Sequence, residues 1–76
     1  MDLTMQIYKI IGEIYKKNQQ LKAAGFEPKC AIITNDQRII LESSLFVNTI
    51  SYTESMKVIG LPVIINNDIK EIQIGV

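Results

Sequence analysis

The longest apolar run in the chain is Val58-Ile59-Gly60-Leu61-Pro62-Val63-Ile64-Ile65-Asn66-Asn67-Asp68, which a Gly-Leu-Pro corner interrupts once. The run is β-branched, bounded by turn residues and too short for a comfortable helix, as is typical of a strand covered on both faces. Pro62 has no N–H to donate to a strand ladder. The sequence therefore predicts a corner at residues 60–62, a strand over residues 63–65, and a buried centre that the other segments cover.

The N-terminal segment has the pattern of a long amphipathic helix. Its apolar positions recur at steps of three and four residues: Leu3, Ile7, Ile10, Ile11, Ile14, Leu21 and Ala24. Asp2 or Thr4 can cap its start, and Gly25 is a good C′ residue for its end. Glu13 and Lys17 are spaced for an ion pair. About 20 helical residues span roughly 30 Å, so part of the helix is expected to project and pack on a neighbour.

Two tyrosines of this helix are the first candidates for an interface. Tyr8 and Tyr15 stand seven residues apart on one side of the helix, near the edge of the apolar stripe. They are suited to an aromatic contact with a partner helix, although such a stripe also occurs in cores. Gly12 between them is a poor helix residue, explained either by close helix approach or by drift that the packing tolerates.

The middle of the chain predicts a strand followed by a short second helix. Residues 30–34 form a short apolar run that begins with Cys30, which we expect to be an inert core cysteine. Thr34 and Gln37 form a capping-box pattern, which favours a helix over residues 38–43. A strand hairpinned on the previous one is the competing interpretation, because Ile39 and Ile40 are β-branched.

Residues 44–53 carry a large apolar load without a clear helical period. Such a load in a loop indicates either an interaction surface or a cap on a small core. The candidate interface residues here are Leu45, Phe46, Val47, Ile50 and Tyr52. Residues 69–76 alternate partially, as an edge strand does.

Composition limits the classes of function. The 76 residues make a single domain at most. A domain this small is marginally stable without disulfides, a structural metal or a partner subunit. One cysteine and no histidine exclude an internal disulfide and deprive a zinc site of ligands. Oligomerisation is the remaining support, and the 47% hydrophobic content is consistent with it.

Charge and hydropathy add further expectations about partners and location. Eight basic and eight acidic residues leave no electrostatic footprint for nucleic acid or an anionic membrane. The start lacks the pattern of a signal peptide, and no apolar run approaches the roughly 20 residues that span a bilayer. We expect a soluble, cytoplasmic protein.

The residues that usually carry catalysis are absent or scattered. Without histidine, proton transfer would fall to carboxylates, lysine or tyrosine, and Asp36, Glu42 and Glu54 show no spacing that pairs them. The triplet at residues 66–68 offers oxygen atoms to a hard cation, but a turn between strands explains it better. We expect no enzyme activity, no cofactor, no metal and no small-molecule substrate.

The order of the segments resembles the axial, or A, domain of the major capsid proteins of tailed phages and of the related encapsulin shell proteins. The residues that carry the resemblance are the helix end Leu21-Lys22-Ala23-Ala24-Gly25-Phe26-Glu27-Pro28, the strand Ala31-Ile32-Ile33-Thr34-Asn35, the run Val58-Ile59-Gly60-Leu61-Pro62-Val63-Ile64-Ile65-Asn66, and the closing Ile74-Gly75. These motifs are short and made of common residues, whereas the resemblance as a whole covers nearly the entire chain. The N-terminal arm, extended loop and spine helix of full capsid subunits are not evident.

The resemblance implies a small α+β, A-domain-like fold, free-standing or cut from a longer subunit. It implies a mixed or mostly antiparallel sheet with one long and one short helix. It also implies a homo-oligomeric structural protein of a virion or shell, whose domains meet around symmetry axes through a loop at residues 44–53. The alternative is a small regulatory or adaptor module that binds a heterologous protein through the same surface.

Overall fold

The computed structural model describes residues 3–42, 50–51 and 57–76. In chain order the elements are α1 (Leu3–Ala23), β1 (Cys30–Ile33), α2 (Asn35–Glu42), β2 (Ile50–Ser51), β3 (Lys57–Val58), β4 (Leu61–Ile65) and β5 (Gln73–Gly75). The predicted α+β class, with one long and one short helix, is confirmed.

The five strands form one mixed sheet in the order β2-β3-β4-β1-β5. Strands β1 and β4 are parallel, with Ala31 opposite Val63, whereas the other neighbouring pairs are antiparallel. Strand β5 lies at one end of this order, so the edge strand predicted for residues 69–76 is confirmed over Gln73–Gly75. Strand β1, the first strand in the chain, lies inside the sheet between β4 and β5.

The corner predicted at residues 60–62 lies one residue earlier, as a two-residue turn between β3 and β4, and the strand predicted over residues 63–65 starts two residues earlier, at Leu61. Ile59 and Gly60 both have positive φ, 55° and 77°, as a type I′ hairpin requires. A β-branched residue in this conformation is unusual, and the Ile59 side chain is half-buried against the core. The strand begins at Leu61, so it includes Pro62. Proline is tolerated there because pairing with β1 starts one residue later, at Val63.

The core lies on one face of the sheet. It is formed by Ile7, Ile10, Ile14, Ala31, Ile33, Leu41, Val58, Leu61 and Ile72. The prediction that the longest apolar run is covered on both faces is therefore wrong, because both helices pack on the same side. In β4 Leu61 is buried, whereas the Ile64 side chain is 49% exposed. Cys30 is a free, half-buried thiol outside the core, because strand alternation turns it away from buried Ala31.

The middle of helix α1 packs on the core, because its buried positions recur from Ile7 to Asn18. The expectation that another part of the helix projects and packs on a neighbour stays a prediction. The helix ends in a Schellman motif, in which the Phe26 N–H donates to the Leu21 carbonyl at 2.9 Å. Gly25 at C′ has φ 89°, as that motif requires.

A capping box starts α2, as predicted. The Gln37 N–H donates to Thr34 Oγ1 at 3.2 Å, and the Thr34 N–H donates to Gln37 Oε1 at 2.9 Å. A second support comes from the turn before β5, where Asn67 Oδ1 accepts from the Asn35 N–H at 2.8 Å. These bonds satisfy donors that a helix start leaves unpaired. The helix predicted over residues 38–43 is confirmed over residues 38–42 and begins earlier, at Asn35, whereas the competing strand is wrong.

One polar side chain lies in the core face of α1. Asn18 is 3% exposed, and its Oδ1 has no hydrogen-bond partner among the described residues. Replacing Asn18 by leucine, which has the same branched heavy-atom skeleton, is expected to raise the free energy of unfolding by about 1 kcal/mol, because an unpaired buried acceptor costs about 1–3 kcal/mol. Urea denaturation measures this change. The exposed control Gln20→Leu should stay within about 0.5 kcal/mol of the parent, and a loss of stability in Asn18→Leu would contradict the prediction.

Candidate interaction surface

The residues predicted as an interface fall into two groups. Tyr8 and Tyr15 on α1 are 61% and 53% exposed, so neither is a core side chain. Ile50 begins β2 and pairs with Val58, but its side chain lies outside the described residues. Four further members of the predicted interface also lie outside them: Leu45, Phe46, Val47 and Tyr52.

The two tyrosines belong to a longer exposed stripe along α1. Met5, Tyr8, Gly12, Tyr15 and Gln19 follow one another at steps of three and four residues, which places them on one helix face. We call these five residues the tyrosine stripe. Met5 is 67% exposed, and all five residues are classed as exposed. The stripe points away from the core face that carries Ile7, Ile10 and Ile14, so the outer side of the helix has apolar groups without cover.

Gly12 leaves a gap in the middle of the stripe. A Cβ placed on Gly12 would meet no heavy atom within 4 Å, so packing inside the chain does not require a glycine here. The residue nevertheless costs the helix up to about 1 kcal/mol relative to alanine. Close approach within the chain is therefore not its explanation, and the gap between Tyr8 and Tyr15 is open to another molecule.

Charged side chains border the tyrosine stripe on one side. Lys9, Glu13 and Lys16 are all exposed and follow one another along that border. Glu13 makes no ion pair with any described residue, so the predicted pairing with Lys17 does not form. The Lys17 Nζ instead lies 3.5 Å from Glu71 Oε1, near the start of β5. The border therefore has charges that are available to a partner.

The sheet face opposite the helices is a second surface that no described element covers. The strand register places Ile64 of β4, Ile32 of β1 and Gln73 of β5 in one row on this face. Ile32 is half-buried, and Gln73 and Pro62 are exposed. This open sheet face is apolar at its centre, although it has fewer large exposed side chains than the tyrosine stripe.

The described catalytic candidates, Asp36 and Glu42, do not line the cleft beside α1, although two other carboxylates do. A cleft of about 330 Å³ lies between α1, α2 and the segment before β5. Its charged lining residues are Lys9, Glu13, Lys70 and Glu71. Asp36 and Glu42 are not in this lining. Arg38 binds Glu42 on the outside of α2, and Glu54 lies outside the described residues.

The polar triplet after β4 forms a turn, as predicted. The Asp68 N–H donates to Asn66 Oδ1 at 2.9 Å, and Asn67 Oδ1 is occupied by the start of α2. Both amide oxygens therefore accept hydrogen bonds from backbone N–H groups. Within the described ranges, no group of three or more histidine, cysteine, aspartate or glutamate side chains is placed to hold a metal ion.

Sequence reasoning missed Met5, Asn18 and Gln19. Asn18 lies four residues after Ile14 and three before Leu21, so spacing alone places it on the buried face. Met5 and Gln19 extend the tyrosine pair at the same steps. Helical spacing is the signal that could have identified all three residues. The sequence prediction used this spacing only for the apolar stripe and for the tyrosine pair.

Neither comparison with known proteins nor hydropathy assigns this surface a role. Searches against protein families, curated proteins and solved structures found no match. None of the helices in the described part of the chain combines the length and apolar character that crossing a membrane requires. The capsid resemblance stays a prediction.

Proposed function

We propose that this chain is a structural, self-associating subunit without catalytic activity, similar in role to the A domain of a capsid or encapsulin shell protein. The tyrosine stripe is the observation that carries the proposal. Three large apolar side chains, Met5, Tyr8 and Tyr15, stand exposed on the outer face of α1. Contiguous apolar groups in such a position are typical of a surface that another protein covers.

The fold supports the same proposal. All described core residues lie between one helix layer and one sheet face, so each layer has an outer side that no described element covers. The order of helix, strand, short helix, hairpin and edge strand also follows the segments from which the A-domain resemblance was drawn. The subunit would act in the cytoplasm, or in a virion or shell.

Gel filtration with light scattering over a concentration series tests self-association. We expect an average mass above that of one chain at tens of micromolar, rising with concentration. Tyr15→Ser should lower that mass, whereas Phe26→Ser should not. Phe26 is a matched control because both side chains are 53% exposed and Phe26 lies beyond the end of α1. A chain that stays monomeric throughout the series contradicts the proposal.

A heterologous protein is the second candidate partner, as for an adaptor module. Lys9 and Lys16 both border the tyrosine stripe, and they outnumber Glu13 on that side. This excess favours an acidic partner surface. The adaptor gains support if the parent chain is monomeric and an acidic amphipathic peptide binds it in a manner that Tyr15→Ser abolishes.

A further inference from the structure

We propose that the cleft between α1, α2 and the segment before β5 binds a small zwitterion, namely an α-amino acid with an apolar side chain. This inference goes beyond the proposed structural role. It follows from the apolar floor of the cleft, from charges of both signs on its rim, and from the ion pairs that these charges do not make. No member of the tyrosine stripe lines the cleft, so the two proposals concern different surfaces.

The floor of the cleft is apolar. Ile10 and Ile72 are core residues that are 7% and 2% exposed, and Ile40 beside them is half-buried. All three line the cleft. A ligand with an aliphatic side chain would cover this hydrocarbon and remove apolar surface from water. The volume of about 330 Å³ is near the lower end of the roughly 300–1,000 Å³ that ligand pockets enclose, so the ligand is small.

Charges of both signs stand on two walls of the cleft. Helix α1 contributes Lys9 and Glu13, one turn apart, and the segment before β5 contributes Lys70 and Glu71. All four residues are exposed. Each wall therefore has one cation and one anion. A ligand with a single charge would be repelled by part of the rim, whereas a zwitterion has a group for each sign.

The two walls do not neutralise each other. Glu71 Oε1 lies 3.5 Å from the Nζ of Lys17, a residue that does not line the cleft. No ion pair joins Lys9, Glu13 or Lys70 to any other described residue. The charges that are available to a ligand are therefore two ammonium groups and one carboxylate.

The backbone groups of a free amino acid match this set. Its carboxylate fits between Lys9 and Lys70, which come from different walls, and its ammonium group fits beside Glu13. Gln37 also lines the cleft, and its Oε1 accepts from the Thr34 N–H. The group that Gln37 offers to a ligand is therefore its amide N–H, which suits a carboxylate. The side chain of the ligand then covers the isoleucine floor.

Saturation-transfer difference NMR tests this recognition, because it detects the ligand whatever the state of association of the protein. Leucine is titrated into the parent chain, and three analogues then compete with it. N-acetyl-leucine lacks the ammonium group, leucine amide lacks the carboxylate, and glycine lacks the side chain. The rim charges are exposed and screened, so we expect leucine to bind with a Kd of about 1 mM.

Each analogue should bind at least about fivefold more weakly than leucine, because each loses one of the three contacts. A signal that does not saturate with leucine overturns the inference. Equal competition by any of the three analogues also overturns it, since the group that this analogue lacks would then play no part in recognition.

Charge-removing substitutions locate the site. Lys70→Gln and Glu13→Gln should each weaken leucine binding about fivefold, whereas Lys16→Gln and Glu27→Gln should leave the Kd unchanged. All four residues are exposed, so the variants are expected to fold, which circular dichroism verifies. Lys16 and Glu27 are matched controls because neither lines the cleft. Leucine binding that responds equally to the controls, or to none of the four substitutions, contradicts the site.

Discussion

Replacing Ile14 by alanine is expected to lower the free energy of unfolding by about 3–4 kcal/mol. Ile14 is fully buried and lies at the centre of the core face of α1. Truncating such a side chain loses its transfer free energy and leaves a cavity, at a typical cost of about 2–5 kcal/mol. A chain of this length has a total stability of about 4–11 kcal/mol, so the substitution should remove between about a quarter and nearly all of it.

Urea denaturation followed by circular dichroism measures this loss. The control is Tyr15→Ala, which truncates the next residue along the same helix. Because Tyr15 is exposed, its truncation should change the free energy of unfolding by no more than about 0.5 kcal/mol. Both variants are compared with the parent at one low concentration, so that association does not contribute. Equal losses at the two positions would mean that α1 does not pack on the sheet by the face described.

Replacing Gly75 by alanine is expected to cost about 1–3 kcal/mol, because the added Cβ would collide with Cys30 Sγ. The two residues are opposite each other in β1 and β5. The Lys29 N–H also donates to the Gly75 carbonyl at 2.7 Å, so the backbone there is held and cannot move aside freely. The strain should fall on the edge strand β5 and on the start of β1 that pairs with it.

A double-mutant cycle with Cys30→Ala tests the cause. Removing Sγ removes the obstacle, so Gly75→Ala should cost about 1–2 kcal/mol less on the Cys30→Ala background than on the parent. Unfolding free energies of the four proteins, measured under reducing conditions, complete the cycle. If the two substitutions are additive, the collision is not the reason that residue 75 is a glycine.

Local signals in the sequence predicted the end of α1, the cap of α2 and one turn correctly. Gly25 and the pair Thr34 and Gln37 act through hydrogen bonds within a few residues, so their identity and spacing carry the information. The same is true of the turn at residues 66–68. Each of these predictions concerns atoms that are close in sequence, and each is confirmed.

The covering of the sheet could not be predicted in this way. An apolar run shows that a strand is rich in β-branched side chains, but it does not show how many layers pack against it. The error is clearest at Ile64, which was expected inside and is half exposed. Which face the helices cover depends on chain direction and on pairing between distant strands, such as Ala31 with Val63.

The candidate surface was predicted in part. Spacing placed Tyr8 and Tyr15 together, but it left open whether they belonged to the core or to a contact surface. The structure assigns both to the outer side of α1, because Ile7, Ile10 and Ile14 occupy the side that faces the sheet. The open surroundings of Gly12 could not be known from sequence, since they depend on which elements pack near the helix.

During synthesis, β1 leaves the ribosome before either strand that flanks it. Its partner residues Val63 and Gly75 follow much later in the chain, and adding residues 34–63 takes on the order of seconds at about 5–20 residues per second. For that interval the apolar Ala31-Ile32-Ile33 has both ladder edges unpaired, a state prone to aggregation. Helix α1 is made first, so it is the one described element ready to shield the nascent strand.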